Sequence, residues 1–137
     1  MAALSEFRRK GHRMEKNILV VDDSRFIFEE MKYKMRGCER YKISYYCPDG
    51  ESLLEAYEKY KPDLVTVDIV MPGIDGIQAT KLLMEAHPEA RVIVVTSLVF
   101  DDTIEEAEQA GAIGFMGKPF ETEQMIRDFD AAFAKRP

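Results

Sequence analysis

Residues 64–76 read Leu-Val-Thr-Val-Asp-Ile-Val-Met-Pro-Gly-Ile-Asp-Gly. The first four, Leu64–Val67, predict a short buried strand that ends at the carboxylate of Asp68. Met71-Pro72-Gly73 then turns the chain, and a helix is expected over Gly76–His87, stopped by Pro88. A strand, a loop opening on an acidic residue, and a helix thus follow one another within 25 residues or so. The same unit recurs on both sides.

Upstream, Ile18–Val21 is an all-apolar strand. Ser24–Met35 carries Ile27, Phe28, Met31 and Met35 at helical spacing, with Ser24 as cap and Gly37 as stop. Tyr41–Tyr46 reads as the next strand, Pro48-Asp49-Gly50 as a turn, and Ser52–Tyr60 as a helix with Leu53, Leu54 and Tyr57 inward. Downstream come a strand at Val92–Val95, a helix at Asp101–Ala110 capped by Asp101 or Asp102, and a strand at Ile113–Met116. A last helix spans Thr122–Lys135, with Met125, Ile126, Phe129 and Phe133 on one face. Five strand–helix units in series require crossover connections, so the expectation is an α/β fold with a parallel sheet covered by helices on both faces.

The 137 residues suit one domain, and 46% apolar with 32% charged residues describe a soluble globular chain. A net charge of −6 argues against a general nucleic-acid binder, whose affinity rests on cationic contacts to phosphate. Residues 1–15 stand apart as a basic extension. Arg8, Arg9, Lys10 and Arg13, with Lys16 just beyond, outnumber Glu6 and Glu15, and no apolar period runs through them. This arm is expected to be flexible, with Met14 an alternative start, and the folded domain to span 16–137. Cys38 and Cys47 match no metal spacing and read as small half-buried side chains of a reducing compartment. Neither a bilayer-length apolar run nor a secretory signal is present, so a cytoplasmic location and no membrane insertion are expected. His12 and His87 suggest no role.

In parallel α/β sheets, ligands gather at the carboxyl ends of the strands. Those ends here are Asp22-Asp23, Asp68, Thr96-Ser97 and Lys118-Pro119. Two carboxylates about 4 Å apart repel by about 4 kcal/mol at an effective dielectric of about 20. Three together must take up a cation or raise a pKa, and hard oxygen donors point to Mg²⁺.

The stretches Val20-Val21-Asp22-Asp23-Ser24, Asp68 to Gly76, Val94-Val95-Thr96-Ser97 and Gly117-Lys118-Pro119-Phe120 together resemble the CheY-like receiver domain of two-component response regulators. The resemblance covers about residues 16–136. It implies a flavodoxin-like (βα)5 doubly wound sheet of order 2-1-3-4-5. It also implies a phosphorylation-dependent switch in which Asp68 accepts a phosphoryl group from a phosphohistidine. On the same footing Asp22, Asp23, Asp68 and the backbone carbonyl of Val70 would hold Mg²⁺. Lys118 and Thr96 would contact the phosphoryl oxygens, helped by the Ser97 amide, and a cis bond before Pro119 would aim the lysine. Thr96 and Phe115 would form the switch, altering a face built from residues 101–135. Implied partners are a sensor histidine kinase or phosphotransfer protein and a downstream protein target. The resemblance further implies a protein that catalyses its own Asp phosphorylation and slow dephosphorylation but is no turnover enzyme.

Val70 and Leu98 are apolar where relatives of the CheY type carry polar side chains, which suggests a long-lived phosphorylated state and argues against motor binding. The chain ending at Pro137 suggests a stand-alone regulator, with an intermediate phosphorelay carrier as the alternative. A small aspartyl-phosphate hydrolase would need a second Asp at position 70, where Val stands. A flavin carrier would need a phosphate-cradling loop where Asp22-Asp23 stand, and the complete acidic set disfavours a mere docking module.

Overall fold

A computed structural model of the chain describes residues 15–97 and 101–135. The basic extension, apart from Glu15, and Leu98 therefore lie outside the described residues. Five strand–helix pairs alternate: β1 (Lys16–Val21), α1 (Arg25–Met35), β2 (Tyr41–Cys47), α2 (Leu53–Tyr60), β3 (Leu64–Asp68), α3 (Gly76–Ala86), β4 (Val92–Thr96), α4 (Asp101–Ala110), β5 (Gly114–Gly117) and α5 (Thr122–Ala134). All pairings are parallel, as the strand–helix alternation predicts, and the order is β2-β1-β3-β4-β5, as the resemblance implies.

Successive side chains of a strand point to opposite faces, so an unbroken apolar run must be covered twice. Strand β1 divides in this way. Ile18 and Val20 pack beneath α1 and α5 with Phe28, Met31, Met35, Met125 and Phe129. Leu19 and Val21 pack on the other face with Leu53 of α2 and Ala79 and Leu83 of α3. Val94 of β4 meets Ala107 of α4 on that second face. No described helix is long and apolar enough to cross a membrane.

Three local expectations need correction. Leu54 is exposed, and the inner face of α2 runs through Leu53, Ala56, Tyr57 and Tyr60 instead. A period of 3 or 4 from Leu53 reaches Ala56 and Tyr57, whereas Leu54 falls about 100° away. Ser24 occupies the cap position of α1, but its side chain makes no capping bond. Its backbone N–H instead donates to Asp22 Oδ1 at 2.9 Å. Asp102 lies inside α4 and does not cap it.

Helix α3 determines how Asp68 is presented. Asp75 Oδ1 accepts from the Gln78 backbone N–H at 2.8 Å, and Gln78 Oε1 accepts from the Asp75 backbone N–H at 3.1 Å. This reciprocal cap satisfies two amides. Asp75→Ala should cost about 1 kcal/mol in urea unfolding. Immediately behind it, a Cβ on Gly76 would stand 2.2 Å from the Asp68 carbonyl oxygen. Glycine therefore permits the close approach of α3 to the end of β3.

Candidate functional site

Four of the five parallel strands deliver polar groups to the carboxyl edge of the sheet. Asp22 and Asp23 follow β1, Asp68 ends β3, Thr96 ends β4 and Lys118 follows β5. Because β1, β3, β4 and β5 are sequential neighbours, groups far apart in the chain meet at one place.

Carboxylate oxygens of Asp22, Asp23 and Asp68 all lie within 4.8 Å of one another. Asp22 and Asp68 are buried and Asp23 is exposed. The Lys118 ammonium is 3.3 Å from Asp22 Oδ2 and 3.5 Å from Asp68 Oδ1. Among the described residues, Lys118 is the cation that faces this trio, two of whose carboxylates are out of water. The Asp68 carboxyl is pushed up to about 6: burial raises it most, Lys118 pulls against that, and Asp22 and Asp23 add to the rise. A cluster that holds surplus negative charge away from water and presents only oxygen donors suits a hard divalent cation such as Mg²⁺.

Thr96 is buried at the end of β4, paired in register with Gly117. The Lys118 backbone N–H donates to the Thr96 carbonyl at 2.9 Å, which ties the hydroxyl-bearing strand end to the lysine. The Lys118–Pro119 peptide bond is cis. Val70, two residues past Asp68, exposes 62% of its surface in the loop leading to α3. Phe115 stands apart from the carboxylates. It is half-buried against Val94, Ala107 and Ala112, beside a cavity of about 410 Å³ between α4, β5 and α5.

Two contributors escaped the sequence reading. The Tyr46 hydroxyl donates to the Asp22 carbonyl at 2.7 Å, securing the acidic loop from β2. Lys34 of α1 donates to the Phe120 carbonyl at 2.6 Å, two residues beyond Lys118. In the sequence Tyr46 reads only as a strand residue and Lys34 only as a polar position on a helix. A terminal tyrosine beside two Cys–Pro turn residues was the sole available signal for the first; none pointed to the second.

Comparison with known proteins agrees with this geometry. A family model described as the response regulator receiver domain matches residues 18–130. The chemotaxis protein CheY of Halobacterium salinarum is 38% identical over 108 residues, which cover 79% of this chain and 88% of that protein. Among solved structures, the CheX–CheY–BeF3–Mg complex from Borrelia burgdorferi superposes with a TM-score of 0.80 at 30% identity, covering 88% of this chain and 90% of that one. The response regulator domain of Thermotoga maritima CheB gives 0.81 at 31% identity, covering 90% and 99%.

Proposed function

The chain belongs to the response regulator receiver family, a family of phosphorylation-dependent signalling switches, and from that premise we propose that Asp68 is its phosphoryl acceptor. One observation carries the reading: the buried Asp68 carboxylate shares a pocket with Asp22, Asp23 and Lys118. The phosphodonor is a phosphohistidine on a kinase or phosphotransfer protein. An Asp68 oxygen attacks phosphorus, the P–N bond breaks as the P–O bond forms, and the electron pair leaves on the imidazole.

Receiver domains take Mg²⁺ at this acidic pocket, and Asp22, Asp23, Asp68 and the Val70 carbonyl would hold it here. The bound ion supplies charge neutralisation between the carboxylates and the incoming phosphate. Lys118 contributes a charge-assisted contact to a phosphoryl oxygen, and Thr96, helped by the Ser97 amide, serves another. Phosphorylation replaces the Asp68 carboxylate by an acyl phosphate that carries roughly −1.5 to −2 charge and three acceptor oxygens beside Thr96. Movement of that hydroxyl toward it frees space for Phe115 to turn inward, which reshapes the cavity formed by Ile104, Ala107, Ala112 and Phe115. The signal leaves by protein contact through the face of residues 101–135. We assign the folded receiver to residues 16–137, with residues 1–15 as a basic extension of it, and place the protein in the cytoplasm.

Incubation with acetyl phosphate and Mg²⁺, read by intact mass, tests the assignment. Wild type should gain one phosphoryl group and Asp68→Ala none. An unreacted wild type, or an adduct that survives the substitution, would overturn it.

The side chain of Val70 has no polar atom with which to hold an attacking water, and it is exposed. Val70→Asn together with Leu98→Glu should therefore shorten the phosphorylated lifetime severalfold in a time course of adduct decay.

A further inference from the structure

Lys118 reaches its carboxylates on a flexible four-carbon stem, so its placement depends on how firmly the backbone of residues 118–121 is held. One end of that segment hangs from β4 through the Lys118 N–H bond to Thr96. The other end is held by α1. Lys34 Nζ donates to the Phe120 carbonyl at 2.6 Å and lies 5.2 Å from the Phe120 ring centroid. In return the Thr122 hydroxyl donates to the Lys34 carbonyl at 2.9 Å. Glu30 Oε2 at 3.3 Å and Glu121 Oε1 at 3.9 Å flank the ammonium.

The Phe120 carbonyl and the two glutamates hold the ammonium here against the macrodipole of α5. Lys34 sits at the N-terminus of α5, where the helix macrodipole disfavours a cation. The α5 cap residue, Glu121, makes no side-chain capping bond. A lysine that serves only solubility would point into water; this side chain is only 22% exposed. Helix α1 is also tied to the acidic loop, because Asp22 Oδ1 accepts from the Ser24 N–H just before the helix begins. Eleven residues of helix, about 16 Å long, therefore bridge the carboxylate loop and the lysine loop.

We infer that Lys34 is a positioning residue that holds the 118–122 loop so that Lys118 meets Asp68. This rests on the reading of Asp68 as phosphoryl acceptor, but part of its test does not. Lys34→Met keeps the stem over Phe120 and removes the donor, whereas Lys34→Arg keeps donors. At saturating acetyl phosphate and Mg²⁺, and at a temperature where each variant is fully folded, Lys34→Met should react about tenfold more slowly. Its half-saturating Mg²⁺ concentration, read by isothermal titration calorimetry, should stay within about twofold of wild type. Lys34→Arg should recover most of the rate.

The second arm uses urea unfolding without metal. If Lys34 acts through Lys118, the stability lost by Lys34→Met should shrink by half or more in a Lys118→Ala background. Equal losses in both backgrounds, or a Lys34→Met protein that reacts at the wild-type rate, would overturn the inference. If wild type takes no phosphoryl group, the acceptor reading fails and the unfolding cycle alone decides the role of Lys34.

Discussion

Lys118→Ala is expected to destabilise the metal-free protein by about 2–4 kcal/mol at pH 8, the upper end being what a broken buried ion pair costs. Asp22 and Asp68 are both buried, and among the described residues Lys118 is the cation within 4 Å of each. Removing it leaves two carboxylates facing each other with the exposed Asp23 close by. The loss is bounded because the protein can respond by binding a proton. Asp68 already sits at about 6, and without the ammonium its pKa must rise further. A carboxyl group whose folded pKa is raised above its unfolded value destabilises the fold at high pH. That penalty fades as pH falls through the folded value. The deficit should accordingly be largest at pH 8 and much reduced at pH 5. Millimolar Mg²⁺ should recover part of it at pH 8, since a divalent ion neutralises the same pair. Urea unfolding at the two pH values, with and without Mg²⁺, reads all three outcomes. A deficit independent of pH and metal would mean that Lys118 contributes by packing alone.

The fold was legible because its strands are buried on both faces. Runs such as Ile18–Val21 and Val92–Val95 leave no polar side for water, and only a doubly covered parallel sheet accepts them. The site was legible for a related reason. Asp22, Asp68, Thr96 and Lys118 each interrupt or follow an apolar strand where a polar residue has no packing role, and strand order alone then brings them together. What stayed hidden were contacts made by the tips of long side chains between distant segments. Tyr46 meets the Asp22 carbonyl across 24 positions, and Lys34 meets that of Phe120 across 86. A lysine one helical step from Glu30 looks like any solvated pair on a helix surface. Leu54 was misplaced because α2 is short, eight residues, and its tyrosines complete the buried stripe where an aliphatic residue was sought.

Asp68→Asn should do the opposite of Lys118→Ala and stabilise the metal-free protein at neutral pH. The asparagine approximates the protonated carboxyl in shape and removes a charge that burial opposes. The Asp68 carboxyl moves from its ordinary 3.8 to about 6 on folding, even with Lys118 beside it. Well below pH 3.8 the group is protonated in both states and wild type and variant should unfold alike, and at pH 4 most of the difference is already gone. Between pH 4 and 6 the unfolded chain loses its proton first, and wild-type stability falls as pH rises. Above pH 6 the penalty is complete. Each pKa unit corresponds to about 1.4 kcal/mol, and interactions with the site's other charges make about 1–3 kcal/mol the reasonable range. For a chain of this size that is a rise in Tm of about 3–10 °C. Saturating Mg²⁺ should reverse the order, because the ion binds the trio containing Asp68 and stabilises wild type in proportion to its occupancy. Thermal unfolding of both proteins at pH 4 and pH 7.5, with chelator and with Mg²⁺, gives the four comparisons. A less stable Asp68→Asn protein at pH 7.5 in chelator would show that Lys118 already compensates the buried charge, and the case for a cation at this site would lose its energetic basis.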